Sequence, residues 1–203
     1  ILLARNKFLT LQTLFRNAIP VPESRYASNW LHFEKAVSRL GGLPVVIKAL
    51  SSRQGRGVFL IDSVEKYKPL LNDFLSTGHG VLIQEFIPPE KRKDIRLMVV
   101  DKKVAGAMAL IPRKGDFRAN IHRDARAEKI RLTKEMSRLA IKSTQALGLD
   151  ISGVDMIEQD NSLRVIDVNY SPGFKGLEKC TGKDVAAEII KYVIKSSRYP
   201  RCK

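Results

Sequence analysis

The chain has 203 residues, 44% of them apolar and 28% charged, enough to bury a real core in one domain or two smaller lobes. A formal net charge of +15 draws polyanions, whether nucleotide phosphates, acidic peptides, nucleic acid or an anionic membrane, without choosing among them. The composition excludes more than it selects: the longest apolar runs, Pro44-Val-Val-Ile47 and Val81-Leu-Ile83, fall far short of the roughly 20 residues that span a bilayer.

The opening Ile1–Ala4 is too brief for a signal-peptide core, and the lack of an initiator Met leads us to expect a start inside a longer chain. Cys180 and Cys202 make neither a metal knuckle nor a disulfide framework, so a cytoplasmic location is expected. A first helix should follow Asn6 with Phe8, Leu11, Leu14 and Phe15 on its buried face, stopped by Pro20 and Pro22. A second is predicted from Ser28 to Leu40, burying Phe33, Val37 and Leu40 and ending at Gly41-Gly42. Val45–Leu50 and Val58–Ile61 read as strands around a Gly-containing loop. Asp62 and Glu65 suggest a capping box for a helix that buries Tyr67, Leu70, Leu71 and Phe74.

Beyond Gly78 the texture turns to strands: Val81–Ile87, Ile95–Val100 and Val104–Leu110, the last two joined by Asp101-Lys-Lys103. Arg113–Arg131 is polar and basic, and reads as a long ordered loop. Thr133 can cap a helix burying Met136, Leu139, Ala140, Ser143 and Leu147, which Gly148 closes. Strands Gly153–Glu158 and Leu163–Asn169 flank an Asp160-Asn161 turn. Asp184 caps a last helix whose face is Val185, Ile189, Tyr192 and Val193, and Ser196–Lys203 reads as a frayed tail. Blocks of helices and antiparallel strands predict an α+β chain of two lobes with a cleft between them.

The strongest chemical signal is the last hairpin. With Asp160-Asn161 at its turn, residues whose numbers sum to about 321–322 oppose one another, so Asp155 faces 166–167. Asp167 and Asn169 share a face, with Ile166 and Val168 expected on the other. Nothing basic on that face neutralises the carboxylates, and Arg164 is the only cation near them in sequence. Hard oxygen ligands grouped in this way suit Mg²⁺, while the plainer alternative is a solvated strand face.

Lys48 sits in an otherwise apolar strand, either as an edge guard or as a placed charge. Ser51–Gly57, a small basic loop with two glycines, can present backbone N–H groups to phosphates or simply be a turn. Phe86 stands at a strand end stopped by Pro88-Pro89, which taken alone reads as a strand feeding a linker, though an exposed backbone edge there can pair with a base rim. Arg118 and Asn120 lie in the basic loop, and an arginine there can offset charge on a transferred phosphoryl group. His32, His79 and His122 are too far apart for a metal site; no nucleophile elbow or Walker loop occurs, and no RNP, zinc-finger or helix-turn-helix signature points to nucleic acid.

These pieces, in this order, resemble the RimK-type branch of the ATP-grasp superfamily, which includes ligases that add glutamate to a protein or peptide C-terminus. The matching stretches include Ala4-Arg-Asn-Lys-Phe8, Val46-Ile-Lys48, Gln54-Gly-Arg-Gly57, Gln84-Glu-Phe-Ile87, Lys93-Asp-Ile-Arg96, Gly115-Asp-Phe-Arg-Ala-Asn120, Gly153-Val-Asp155 and Asp167-Val-Asn-Tyr-Ser-Pro-Gly-Phe174. The resemblance implies an ATP-grasp fold with ATP between a lobe of residues 1–83 and a lobe of 84–203, and without the N-terminal domain that relatives carry. It implies that Lys7 and Lys48 contact ATP phosphates and that Gln54, Gly55 and Gly57 belong to a phosphate lid. By the same likeness, Glu85, Phe86 and Ile87 form the hinge that holds adenine, and Asp94 binds the ribose. Arg118 and Asn120 would lie near the γ-phosphate as the catalytic pair, with Asp155, Asp167 and Asn169 on two Mg²⁺ ions, or Mn²⁺ in their place.

The implied partners are ATP, a carboxylate acceptor and an amino-acid amine such as glutamate, with a homo-oligomer left open and no membrane or nucleic acid. The other reading is an impaired ATP-grasp module, or a basic surface that binds nucleic acid or an acidic partner. The chain departs from the family at Asp167, where Glu is usual, at Ala119, where Ser is common, and over Leu110-Ile-Pro-Arg-Lys114, where relatives carry arginines.

Overall fold

The computed structural model describes residues 2–50, 57–76, 80–113, 115–118 and 125–197. The first half runs α1 (Leu2–Arg5), α2 (Lys7–Arg16), β1 (Ser24–Ala27), α3 (Trp30–Arg39), β2 (Val45–Ala49), β3 (Val58–Ile61), α4 (Val64–Ser76) and β4 (Val81–Glu85). The second runs β5 (Lys93–Val100), β6 (Lys103–Ile111), β7 (Arg126–Lys129), α5 (Lys134–Ala146), β8 (Ile151–Gln159), β9 (Ser162–Asn169), α6 (Lys175–Thr181) and α7 (Val185–Ser197).

Two antiparallel sheets result, in the orders β1-β4-β2-β3 and β7-β6-β5-β8-β9. The two-residue period of a strand decides what each face of the first sheet does. Val45, Ile47, Val81 and Ile83 point to α3 and α4 and pack with Phe33, Ala36, Leu71 and Leu75. Val46, Lys48 and Gln84, one residue out of phase, point instead into a cavity shared with the second sheet.

The second sheet buries Ile95, Leu97, Val154, Met156 and Val165 against Met136, Leu139 and Ala140 of α5. Leu11 and Leu14 of α2 join this core, so the leading helix packs beneath the second sheet rather than on the first. The opposite face is divided. Met98, Val100 and Met108 are covered by Leu177 of α6 and Val185 of α7, whereas Asp94, Arg96 and Asp155 are left lining the cavity.

Local signals set most boundaries. The Asn6 side chain accepts from the N–H groups of Phe8 and Leu9 at the start of α2, Asn29 from that of His32 in α3, and Thr133 from that of Met136 in α5. Asp160 and Asn161 both take positive φ, 49° and 59°, as a tight hairpin turn of this hand requires. The cap of α4 is Ser63, which accepts from Lys66 N, while Asp62 pairs with the Lys66 ammonium instead of capping.

Phe15 and Val193, expected on buried faces, are 73% and 51% exposed; the buried stripe of α2 is narrowed to Thr10, Leu11 and Leu14, and that of α7 to Val185. Four short elements, α1, β1, β7 and α6, were not expected. Each has only four to seven residues and too few apolar positions to show a period.

Candidate active site

The cavity between the sheets has a volume of about 650 Å³, and its lining draws on both. Lys7, Lys48, Glu85, Ile87, Asp94, Arg118, Asp155, Asp167 and Asn169, all singled out from the sequence, line it together. These side chains come from seven segments of chain, so only the tertiary fold makes them neighbours.

The hairpin of β8 and β9 is the acidic wall. Asp155 stands opposite Asp167 and Gly153 opposite Asn169, while Met156 pairs with Val165, so the register slips by one residue at Ile166. This bulge changes which side chains face the core. Leu163, Val165 and Val168 all reach it, and Ile166 turns to the cavity beside Asp167 rather than away from it. Without the extra residue, Asp167 would share the apolar face of Leu163 and Val165.

The carboxylates are not left unneutralised, as the hairpin alone suggests. Arg96, directly across from Asp155 on β5, grips it with two hydrogen bonds of 2.7 Å, from Nε to Oδ1 and from Nη2 to Oδ2. Lys7, at the first position of α2, donates to Asp167 Oδ2 at 2.7 Å from 160 residues away. Burial opposes ionisation of Asp167, but Lys7, Lys48 and the Val168 N–H outweigh it and hold its pKa below the ordinary carboxylate value. Asp155 pushes the Arg96 guanidinium above its already high value, against the cost of burial. Arg164 turns elsewhere: it donates to Glu85 Oε1 at 2.7 Å and to Gln159, tying the end of β4 to the hairpin.

Lys48 is 9% exposed on the opposing wall. Burial, reinforced by the charge of Lys7, lowers its ammonium to about 8, with Asp167 pulling the other way. A buried amine poised in this range is an anion site with part of its desolvation already complete.

At the third corner the chain leaves β4 through Glu85, Phe86 and Ile87. The Glu85 carboxylate also accepts the Glu23 N–H at 2.8 Å. Phe86 does not line the cavity itself; its ring meets that of Phe117, which does, edge to face at 6.1 Å. Asp94 is buried, which pushes its pKa up, and the Arg92 guanidinium opposes that rise. Asp116 holds Arg118 through Nε and Nη2, and Arg118 Nη1 reaches the Val58 carbonyl of β3 at 3.2 Å, closing one side of the cavity.

Gly57 is buried, and its carbonyl accepts from Ala49 N at 2.8 Å, so it extends the β2–β3 ladder. Gln54, Gly55 and Asn120 lie outside the described residues. Sequence reasoning missed Arg92, Arg96 and Arg164. For Arg96 a signal existed: a charge at the fourth position of an eight-residue strand whose later residues are all apolar.

Comparison with known proteins bears on this arrangement directly, because a RimK-like ATP-grasp domain matches residues 4–193. The chain belongs to the RimK-like ATP-grasp family. It is 38% identical over 194 residues to a probable alpha-L-glutamate ligase of Picosynechococcus sp., covering 96% of this chain and 64% of that protein. A probable alpha-L-glutamate ligase of Legionella pneumophila (strain Corby) is 36% identical over 195 residues, covering 96% and 65%. The chain thus spans just under two thirds of the length of these curated relatives.

Among solved structures, the ATP-grasp ligase PsnB complexed with minimal precursor superposes with a TM-score of 0.73 at 22% identity, over 94% of this chain and 60% of that one. A D-alanine–D-alanine ligase from Bacillus anthracis complexed with ATP gives 0.73 at 21% identity, over 97% and 66%. Likeness at this level establishes the ATP-grasp fold, the α+β architecture expected from the sequence.

ATP-grasp chemistry calls for a divalent cation, and the donor set can be tested against that need. Asp155, Asp167 and Asn169 supply only oxygen, on adjacent strands, at the wall of the cavity, with Asp167 held ionised. That is the ligand type Mg²⁺ takes when it keeps water and shares its shell with phosphate. Among the described residues no group of three or more His, Cys, Asp or Glu is placed to hold a metal ion; this place offers two carboxylates and the Asn169 amide. No described helix is long and apolar enough to cross a membrane.

Proposed function

We propose that the protein is an ATP-dependent carboxylate–amine ligase of the glutamate-ligase kind, acting on a peptide or protein C-terminus or on a small carboxylate. The observation that carries this reading is the meeting of opposite charges in one cavity: Lys48 on one wall, Asp155, Asp167 and Asn169 on the other, with Lys7 beside Asp167. A triphosphate needs both, ammonium groups for its oxygens and hard ligands for its cations.

In this reading Lys7 and Lys48 receive phosphate oxygens. Lys7 leaves Asp167 to do so, and an arriving anion favours the charged form of Lys48 that burial disfavours. Glu85 and Ile87 border the base, with Phe86 backing Phe117, Asp94 accepts from the ribose hydroxyls, and Gln54, Gly55 and Gly57 belong to the loop that covers the phosphates. Asp155, Asp167 and Asn169 would hold two Mg²⁺ ions, which supply neutralising charge for the transferring phosphoryl group. Arg118 and Asn120 flank that group. An oxygen of the acceptor carboxylate attacks the γ-phosphorus, the bond to ADP breaks, and an acyl phosphate forms. The amine then attacks the acyl carbon, and phosphate and one proton leave as the amide forms. Exclusion of water protects the acyl phosphate meanwhile.

Residues 1–83, apart from α2, which packs under the second sheet, and residues 84–203 act as the two lobes of the ATP site, and glutamate is the amine we expect from the relatives' names. The decisive assay measures ADP release over a panel of amino acids and acidic peptides with and without Mg²⁺. Release that needs the cation, a carboxylate and an amine together is the expected result. No binding of ATP at millimolar concentration would sink the proposal.

A further inference from the structure

One buried cation has no part in the reaction as proposed. Arg92 lies in the short segment between the hinge and β5, with its side chain 10% exposed. Each of its three guanidinium nitrogens donates: Nε to Asp94 Oδ2 at 3.1 Å, Nη2 to the Phe117 carbonyl at 2.7 Å, and Nη1 to the Ile87 carbonyl. A guanidinium removed from water must find such partners, which accounts for the number of bonds but not for their choice. The three partners come from three segments: the hinge, the start of β5, and the loop that leads into Arg118. All three line the cavity, and so does Arg92.

The consequences meet at the nucleoside end of the cavity. Burial alone drives Asp94 toward its neutral acid, and Arg92 works against that. A carboxylate accepts hydrogen bonds from hydroxyl groups, whereas a neutral acid presents a donor in their place. The Phe117 carbonyl is fixed one residue before Arg118, whose guanidinium crosses to Val58 on the other wall.

We infer that Arg92 is a positioning residue for the nucleotide. Its rigid fork sets the Ile87 carbonyl, the Asp94 carboxylate and the Phe117 carbonyl in one register, so a single group shapes the nucleoside corner. The inference rests on the nucleotide reading of the cavity. Lysine cannot substitute, because one ammonium on a flexible stem does not span two carbonyls and a carboxylate in a fixed plane.

The test compares two probes on the full chain by calorimetry in Mg²⁺: ADP, and inorganic tripolyphosphate, which carries phosphates without a nucleoside. Arg92→Lys keeps the positive charge and loses the fork. It should weaken ADP by about tenfold, the worth of one charge-assisted hydrogen bond, and leave tripolyphosphate within about twofold. Arg92→Gln should show at least the same ADP loss, and serves if the lysine variant does not fold. Equal losses on both probes would reduce Arg92 to a general structural ion pair and overturn the inference, as would unchanged ADP binding. Failure of the unaltered protein to bind either probe would instead remove the nucleotide reading itself, and this inference with it.

Discussion

The two walls of the cavity carry opposite charges and stabilise them differently. On the five-stranded sheet each cavity-lining carboxylate has its own cation: Asp155 has Arg96, Asp94 has Arg92, and Asp167 has Lys7 from α2. On the four-stranded sheet Lys48 makes no ion pair among the described residues, and burial lowers it to about 8. The acidic wall is therefore organised before any ligand arrives, whereas the basic wall is completed by one. A buried, unpaired ammonium gains most from an arriving anion, while a paired carboxylate must first exchange its partner.

The largest effects should come from removing the charge that defines each wall. Lys48→Ala and Asp155→Ala should each cut ligase turnover by about a hundredfold or more, measured as ADP release, with the fold retained. Stability separates the two. Asp155→Ala strands the Arg96 guanidinium and should lower unfolding free energy by about 2 kcal/mol in urea, while Lys48→Ala removes a charge that burial disfavours. Equal destabilisation by both would break the contrast between paired and unpaired walls.

Titration sharpens the same contrast. The Lys48 pKa lies near 8 in the folded protein and near 10.5 in the unfolded chain. Between those values the unfolded chain binds the extra proton, so this group's contribution makes the ligand-free protein more stable as pH rises through that window. Lys48→Met should therefore melt above the unaltered protein below pH 8, by scanning calorimetry, and lose that advantage toward pH 10.5. A constant difference across the window would show that burial does not depress this amine. ATP affinity should fall in the same direction, weakening above pH 8 as the ammonium is lost.

A smaller effect is expected where the acidic wall rests on backbone rather than charge. Gly153 faces Asn169 across the hairpin, and a Cβ there would come within 2.8 Å of Pro172 Cβ. Gly153→Ala should cost about 1–3 kcal/mol and, by moving the turn that follows Asn169, weaken Mg²⁺–nucleotide binding while leaving binding of metal-free nucleotide nearly unchanged. At the bottom of the scale, Lys191→Ala removes an exposed pair with Glu188 on α7 and should leave the melting temperature unchanged.

Much of the site was legible because it follows short-range rules. The tight Asp160-Asn161 turn set the pairing of Asp155 with Asp167, and strand alternation put Lys48 on the face opposite Ile47. The bulge at Ile166 was not legible, since no residue of β9 announces it; it arises because Leu163, Val165 and Val168 must all reach one core. The counterions were hidden for a different reason. Arg96 is 59 residues from Asp155 and Lys7 is 160 from Asp167, and no local pattern encodes a pair at such separations. Arg164, the one cation near the hairpin in sequence, proved to hold Glu85 at the end of β4.

The sequence by itself determined the elements with caps and clear periods, the order of the family's motifs, and the side-chain chemistry available: ammonium groups, carboxylates and an amide. Short-range hydrogen bonds and hydrophobic period act within a few residues, so they are written into consecutive positions. Only the tertiary structure decided which charges face one another, that the leading helix packs under the second sheet and delivers Lys7 to Asp167, and that Arg92 joins three cavity walls. Those outcomes depend on how two sheets bury their apolar faces and leave part of one face open, a balance struck over the whole chain at once.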